Sequence, residues 1–327
     1  MKMSRALAAV SAAALLLAGC GGSDGGPETA SGAAGTSYPS ERIRLIVPYT
    51  AGGPTDIAAR AVAQHMEKEL GQTVIVENKP GASGATAYQE LIGSEPDGHT
   101  LSMFALPTAV LNYLTNDVGY GKDDFIPVGS VTRVPSAILV PADSPYTTAK
   151  DLFDFAKANP GKATVGTPGS TNTHAAETRR ITQEYGIPLT VVPFDGNSEI
   201  QTALLGGNIV AGFANVSQDI LPALESGTIR ALAVGSEERL PYVDAPTLVE
   251  QGFPELTQST TTFGIVAPSG TPQEVVTELE STLEGALGEA SVVEKLGERY
   301  VDDFLGRTEL EALFAETEET FKDVPKS

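Results

Sequence analysis

The chain has no tryptophan, one cysteine and three histidines among its 327 residues. A single cysteine cannot form an internal disulfide. The histidines, His65, His99 and His174, are isolated from one another, and none has a metal-ligand spacing such as His-Glu-x-x-His. No Gly-x-Ser-x-Gly turn marks a hydrolase nucleophile. The sequence therefore predicts no metal, no cofactor and no catalytic cluster.

Positive charge is also scarce. With 21 Lys and Arg residues against 42 Asp and Glu residues, the formal net charge is −21. Nucleic acid and an anionic membrane face repel such a body, so neither is predicted as a partner. Because few cations are available, an anionic ligand would have to be held by local backbone dipoles against a repulsive overall field.

The first residues resemble a secretory leader rather than part of the fold. Lys2 and Arg5 form a basic region before the apolar run 6–18, which is too short to span a bilayer. The run ends in Leu-Ala-Gly-Cys, the spacing of a bacterial lipoprotein cleavage box. We predict a signal peptide over 1–19, an acylated Cys20, and a flexible tether over 20–37. The alternative is a plain signal peptide with an incidental cysteine.

The remaining 290 residues alternate strand and helix patterns and are long enough for two domains. We predict an α/β fold of two lobes, lobe 1 from 38–133 plus 262–327 and lobe 2 from 134–261. Lobe 1 is expected to hold a mostly parallel sheet with helices on both faces. Its predicted elements include a strand over Ile43–Val47, a helix over Pro54–Leu70 and, near the C-terminus, a helix over Ala290–Tyr300. Because the chain would cross between the lobes twice, a hinge and a central cleft are expected.

Four glycine-bearing turns stand where strands should hand over to helices. They are Pro48–Asp56, Asn78–Thr86, Val165–His174 and Pro193–Glu199. A helix N-terminus carries unpaired N–H groups and about half a positive charge, so it can bind an anion. Two such turns in each lobe indicate a cleft that holds a small anion from both sides.

Particular side chains near these turns are candidates for the site. Asp56 would repel an anion, so we expect it to organise its loop, hold a water or meet a ligand amine. His174 follows a turn rich in hydroxyl groups that lacks a Walker lysine and suits a carboxylate; it faces either the cleft or the core. Thr108 and Asn215 follow or end strands, where they line the cleft or serve only the fold.

Several collinear segments resemble the solute receptors of tripartite tricarboxylate transporters, the Bug family. The resemblance runs from about Tyr38 to the C-terminus. Its markers include IRLIVPYTAGGPTD, VENKPGASG, SEPDGHTL, VGTPGSTNTHAAE, VPFDG, LLGGNIVAGFAN, RLPYVDAPTLVEQGF and FGIVAPSGTP.

The resemblance implies a periplasmic-binding-protein fold whose two lobes close on a small carboxylate, often a di- or tricarboxylate. It implies a monomeric receptor outside the cytoplasm that docks on membrane permease subunits. The lipid anchor predicted from the cleavage box, which is not the commonest format in the family, would hold it at a Gram-positive surface or on the periplasmic side. The ligand contacts that it implies are Tyr49, Thr50, Ala51, Gly52, Gly53, Asp56, Ala82, Ser83, Gly166, Thr167, Ser170, Thr171, Thr173, His174, Phe194, Asp195 and Gly196.

Two other functions of the predicted cleft remain open from the sequence. The same binding event could serve a sensor kinase of a two-component system, or the cleft could belong to a surface hydrolase. Departures from the family pattern at Tyr49-Thr50-Ala51, Pro168, Asp195 and Asn215 leave the identity of the carboxylate open.

Overall fold

The computed structural model describes residues 38–254, 256 and 259–322. The predicted signal peptide, the lipidated Cys20 and the tether lie outside these residues, as do positions 323–327 of the predicted first lobe. The described residues belong to one compact unit. No helix within this part of the chain combines the length and the apolar character that a membrane span requires.

The described residues form ten strands and ten α-helices. The strands are β1 (Ile43–Val47), β2 (Val74–Asn78), β3 (Thr100–Leu106), β4 (Phe125–Val134), β5 (Ser136–Pro141), β6 (Thr164–Thr167), β7 (Thr190–Pro193), β8 (Ala211–Asn215), β9 (Ile229–Val234) and β10 (Thr261–Pro268). The helices are α1 (Pro54–Leu70), α2 (Ala85–Ile92), α3 (Thr108–Thr115), α4 (Ala149–Ala158), α5 (Thr173–Glu184), α6 (Asn197–Leu205), α7 (Leu221–Glu225), α8 (Gln273–Gly288), α9 (Ala290–Leu296) and α10 (Arg307–Phe321).

The strands form two five-stranded sheets, in the orders β2-β1-β3-β10-β4 and β7-β6-β8-β5-β9. Strands β1, β2 and β3 are parallel, and so are β6, β7 and β8. The carboxyl ends of each parallel set therefore share one sheet edge. Loops that leave these ends are the places where α/β proteins build ligand sites.

Both sheets are mixed, but four strands of the first sheet run in one direction and β10 alone opposes them, so the expectation of a mostly parallel first sheet is confirmed. Strand β10 runs antiparallel to β3 and β4, and β5 runs antiparallel to β8 and β9. The strand directions are mixed because the chain passes between the two sheets twice. It leaves the first sheet through β4, enters the second at β5 after Pro135, and returns through β10 in the opposite direction.

Two elements that the sequence analysis did not assign are α3 and β4. Pro127 and Gly129 weaken the strand pattern of β4, but β4 is an edge strand, where proline is tolerated. A Cβ atom at Gly129 would lie 2.6 Å from the ring of Phe304, so this glycine admits a close packing partner. A third difference lies in α9, which ends at Leu296 because Gly297 adopts a φ of 84°.

Alternating side chains of β1 build the centre of the first sheet. Ile43, Leu45 and Val47 are fully buried and belong to one apolar cluster with Ala58 and Val62 of α1. This packing fixes α1 directly behind the turn that ends β1. The start of α1 is thereby positioned by the core rather than by the loop alone.

Candidate functional site

Four helices, each the next element after the carboxyl end of a parallel strand, begin at one cavity. Helix α1 follows β1, α3 follows β3, α5 follows β6, and α6 follows β7. The cavity encloses about 30 Å³. Its lining residues are Tyr49, Thr50, Gly53, Pro54, Thr55, Ala105, Thr108, Pro168, Asn172, His174, Gly196, Asn197, Asn215, Thr261 and Phe263.

A second cavity of about 170 Å³ shares Tyr49 and Pro168 with the first. Its other lining residues are Gly81, Ala82, Ser83, Gly84, Gly169, Ser170, Pro193, Phe194 and Asp195. None of the residues given for the two linings is a lysine or an arginine. The positive potential expected at the first cavity is therefore that of the helix N-termini that line it.

The turn between β1 and α1 is organised by the carboxylate of Asp56. Its Oδ2 accepts hydrogen bonds from Gly52 N at 2.9 Å and from Arg60 Nε at 3.0 Å, and its Oδ1 accepts one from Asn78 Nδ2 at 3.0 Å. Burial acts to raise the pKa of Asp56, but these donors lower it below its usual value. The carboxylate is thus committed to the turn, and Asp56 does not line either cavity.

Gly52 and Gly53 have different roles in this turn. Gly52 has a φ of 84°, which only glycine adopts without strain. Gly53 is extended, with a φ of −81° and a ψ of 174°, so its backbone does not require glycine. The absence of a side chain at Gly53 instead leaves room in the cavity that it lines.

Loops from the two sheets contact each other directly beside the cavities. Thr171 donates its backbone N–H to Ser83 Oγ at 3.3 Å and its hydroxyl to Asn112 Oδ1. Asn112 Nδ2 donates to the carbonyl of Ser83 at 2.8 Å. The hydroxyl oxygens of Thr108 and Thr173 lie 3.4 Å apart. These bonds join the β2–α2 turn and α3 to the β6–α5 turn, so the two sets of loops are in a closed arrangement.

Two glycines allow this approach. A Cβ atom at Gly169 would lie 2.2 Å from Ser83 Oγ, and one at Gly196 would lie 2.3 Å from Thr50 Oγ1. Gly196 has a φ of −179°, so its backbone is extended and space alone requires glycine there.

Three buried polar atoms of the first cavity's lining have no hydrogen-bond partner among the described residues. They are Thr50 Oγ1, Asn172 Nδ2 and His174 Nδ1. Burial lowers the pKa of His174 to about 3, so the ring is neutral at pH 7. Unpaired buried polar groups cost free energy, and a ligand or a water that pairs with them recovers it.

His174 also contacts a serine, but the pair is not arranged as a hydrolase triad. Its Nε2 lies 2.7 Å from Ser136 Oγ, which lies 2.5 Å from the carbonyl oxygen of Ser259. Ser136 is fully buried and does not line the cavity. In the described part of the chain no carboxylate contacts His174 Nδ1, the position that the acid of a triad occupies.

The predicted site residues divide into three groups. Those lining the first cavity are Tyr49, Thr50, Gly53, Thr108, His174, Gly196 and Asn215. Those lining the second are Tyr49, Ala82, Ser83, Ser170, Phe194 and Asp195. Those lining neither are Ala51, Gly52, Asp56, Gly166, Thr167, Thr171 and Thr173.

Members of the third group stabilise the loops and their packing rather than line a cavity. Thr167 donates its hydroxyl to the carbonyl of Gly169 at 2.7 Å. A Cβ atom at Gly166 would lie 2.6 Å from Ile209 and 3.1 Å from Phe194, so this glycine packs against the interior.

The first cavity also contains residues that were not predicted. They are Pro54, Thr55, Ala105, Pro168, Asn172, Asn197, Thr261 and Phe263. A local signal existed for Asn172, which caps α5 by accepting from Ala175 N at 2.8 Å, and for Asn197, the first residue of α6. Thr261 and Phe263 have no such signal, because only the return of β10 brings them to the site.

One group of potential metal ligands comes together within the described residues, although His65 has no metal-ligand spacing along the chain. His65, Glu69 and Glu289 offer atoms within 4.8 Å of one another. Lys68 Nζ lies 3.0 Å from Glu289 and 3.4 Å from Glu69, so a lysine already supplies positive charge there. None of the three lines either cavity.

Comparison with known proteins places these features in a family context. The family model described as "Tripartite tricarboxylate transporter family receptor" matches residues 58–323. A UPF0065 protein of Cupriavidus necator is 36% identical over 279 residues, which span 85% of this chain and 84% of the relative.

Solved structures agree with the fold. MatC from Rhodopseudomonas palustris with bound malate has a TM-score of 0.80 and 28% identity, over 88% of this chain and 99% of that one. A second R. palustris protein, solved with adipate, has a TM-score of 0.78 and 31% identity, over 87% and 97%. The periplasmic binding protein BugD has a TM-score of 0.80 and 28% identity, over 89% and 100%. The predicted fold class, an α/β fold of the periplasmic-binding type, is confirmed.

Proposed function

The chain belongs to the tripartite tricarboxylate transporter receptor family, and on that premise we propose that it captures a small carboxylate outside the cytoplasm for a tripartite transporter. Members of the family are solute-binding receptors. We propose accordingly that the protein is not an enzyme and that its output is transport rather than sensing.

The observation that carries the carboxylate assignment is the meeting of four helix N-termini at one cavity. The cavity's lining includes no lysine or arginine. A carboxylate accepts hydrogen bonds only, so free N–H groups at helix starts satisfy it without a cation. The acid of the β1–α1 turn, Asp56, is already paired with Gly52 N–H, Arg60 and Asn78.

The ligands of related proteins indicate how large a ligand the site should bind. MatC was solved with malate and the second R. palustris protein with adipate, both small dicarboxylates. The first cavity, at about 30 Å³, has room for little more than a water. Because a dicarboxylate needs more space than this, we propose that the loops part to admit the ligand and close around it across both cavities, which share Tyr49 and Pro168.

We propose that this closure moves the two lobes predicted from the sequence, 38–133 with 262–327 and 134–261. The passages between the two sheets, at Pro135 and before Thr261, would then act as the hinge. The contacts of Thr171 with Ser83 and Asn112 would form as the lobes meet.

We propose further that Cys20 carries a lipid and that 20–37 tethers the receptor to a membrane surface. The motif Leu-Ala-Gly-Cys supports this assignment. A monomeric receptor on such a tether can reach permease subunits in the same membrane. Genes for a large and a small multi-span membrane protein beside this one would favour transport, and a sensor kinase gene would favour signalling.

Thermal shift with a panel of mono-, di-, tri- and aromatic carboxylates tests the proposal. Ligand at a hundred times its Kd adds about 2.7 kcal/mol to the stability, so the matching carboxylate should raise Tm by several degrees. Sugars and neutral peptides provide the control. If one of these shifts the transition and no carboxylate does, the assignment is wrong.

A further inference from the structure

The hydrogen-bond network behind the first cavity determines which nitrogen of His174 carries the proton. Ser136 Oγ lies 2.5 Å from the carbonyl oxygen of Ser259, which can only accept, so the serine hydrogen points there. Asn215 Nδ2, which can only donate, lies 3.2 Å from the same Oγ. The remaining lone pair of Ser136 therefore receives a hydrogen from His174 Nε2, at 2.7 Å.

With the proton on Nε2, the other ring nitrogen is a hydrogen-bond acceptor. Nδ1 of His174 is buried and has no partner among the described residues. The ring stays neutral at pH 7, since burial lowers its pKa to about 3. His174 lines the cavity, so we assign its acceptor to the same site as the helix N-termini.

A carboxylate alone cannot satisfy this acceptor, because it offers no hydrogen at neutral pH. The neighbouring Asn172 differs from His174. Its Oδ1 accepts from Ala175 N at 2.8 Å, so its unpartnered Nδ2 is a donor that a carboxylate can satisfy. The cavity therefore offers donors for an anion and one fixed acceptor beside them.

We propose that His174 Nδ1 accepts a hydrogen bond from a hydroxyl of the ligand, which makes this protein a receptor for hydroxycarboxylates. The inference rests on the proposed carboxylate function and narrows its ligand class. A hydroxyl fits better than an ammonium group, because four helix N-termini contribute positive potential at the cavity and no carboxylate lines it.

Calorimetry on matched ligand pairs tests the assignment. Succinate with malate, and glutarate with 2-hydroxyglutarate, differ only by the hydroxyl. We expect the hydroxylated member of at least one pair to bind about tenfold more tightly, with one enantiomer preferred, because the acceptor is fixed in space. Aspartate, the amino analogue of malate, should bind more weakly than malate.

The substitution His174→Gln tests the role of Nδ1 separately from that of Nε2. A glutamine amide can still donate to Ser136 Oγ, but its carbonyl oxygen is attached at a different point of the side chain from Nδ1, so the ligand hydroxyl should lose its fixed acceptor. The hydroxyl preference, measured as the ratio of affinities within a pair, should fall to within about twofold. His99→Gln, a histidine outside both cavities, is the matched control and should keep the preference.

The outcomes distinguish this inference from the proposed function. Equal affinities within both pairs in the unsubstituted protein would show that a water satisfies Nδ1, which overturns the His174 assignment and leaves the carboxylate receptor intact. Tighter binding of aspartate than of malate overturns the hydroxyl assignment. Binding of no carboxylate at all overturns both proposals. Because the unsubstituted protein supplies these results, a misfolded His174→Gln variant does not remove the test.

Discussion

Two buried acids, Asp56 and Glu177, differ in their electrostatic environment. Asp56 is held ionised by donors from Gly52, Arg60 and Asn78. Glu177, on α5, is fully buried and its Oε2 has no partner among the described residues. Its Oε1 lies 2.9 Å from Arg180 Nη1. Burial outweighs the arginine and raises the pKa of Glu177 to about 7.

Glu177 should therefore make the stability depend on pH. An acid whose pKa is raised on folding stabilises the protein below its unfolded pKa of 4.5, and this contribution is lost as the pH rises through about 7. In Glu177→Gln this loss should be absent. Relative to the unsubstituted protein, the variant should gain on the order of 2 kcal/mol of unfolding free energy between pH 4.5 and pH 8.

Denaturant unfolding of both proteins at these two pH values measures the effect. Glu184→Gln removes an exposed carboxylate beside the same arginine and is the matched control. Equal changes with pH for Glu177→Gln and the unsubstituted protein would show that Glu177 is ionised in the folded state.

At the scale of the elements, the site depends on how closely loops from different sheets approach. The β7–α6 turn comes so near the β1–α1 turn that a methyl group at Gly196 would overlap the hydroxyl of Thr50. Both residues line the first cavity. The approach is therefore part of the closed arrangement proposed for the liganded receptor.

Gly196→Ala should weaken ligand binding without unfolding the protein. The added methyl group would hold the two turns apart, and overpacking of this kind costs about 1–3 kcal/mol, or roughly tenfold to a hundredfold in Kd. Calorimetry with a carboxylate found in the thermal-shift panel measures the loss. The second change Thr50→Ala should relieve the overlap and restore part of the affinity.

Gly121→Ala is the control for this experiment. Its φ is −142°, no atom lies within 4 Å of the added Cβ, and it lines neither cavity. It should bind as tightly as the unsubstituted protein. An undiminished affinity in Gly196→Ala would show that the β7–α6 turn does not close against Thr50 when the ligand is bound.

For the whole molecule, the main electrostatic fact is a net charge of −21 around a site that is proposed to bind an anion. The positive potential of a helix N-terminus falls off within the first turn of the helix. The field of the net charge extends much further, about 30 Å at 0.01 M salt and about 8 Å at 0.15 M. The distant field should therefore slow the approach of the ligand and the local dipoles should hold it.

Added salt should increase the association rate constant of a dicarboxylate by a few-fold between about 10 and 150 mM, because it screens the repulsion. Stopped-flow measurements with a dye-labelled receptor can follow this. A neutral analogue such as a diamide serves as the control for general salt effects. An association rate that falls with salt would indicate attraction by cations at the site and would contradict the dipole mechanism.

Local patterns in the sequence determined most elements and the character of the site. The strand pattern of Ile43–Val47 and the helix over Pro54–Leu70 were predicted with the bounds that the structure has. Glycine turns before helices predicted an anion site, because the chemistry of a helix start depends on a few neighbouring residues. Collinear motifs gave the family.

Only the tertiary structure decided which residues meet. The antiparallel β10, the edge strand β4 and helix α3 depend on how the chain passes between the sheets, and they bring Thr261, Phe263 and Asn112 to the closed loops. The proton position of His174 likewise depends on two distant residues. Ser136 lies 38 residues before His174 along the chain, and Ser259 lies 123 residues after Ser136. Contacts across such separations arise from packing, and a local pattern holds no information about packing.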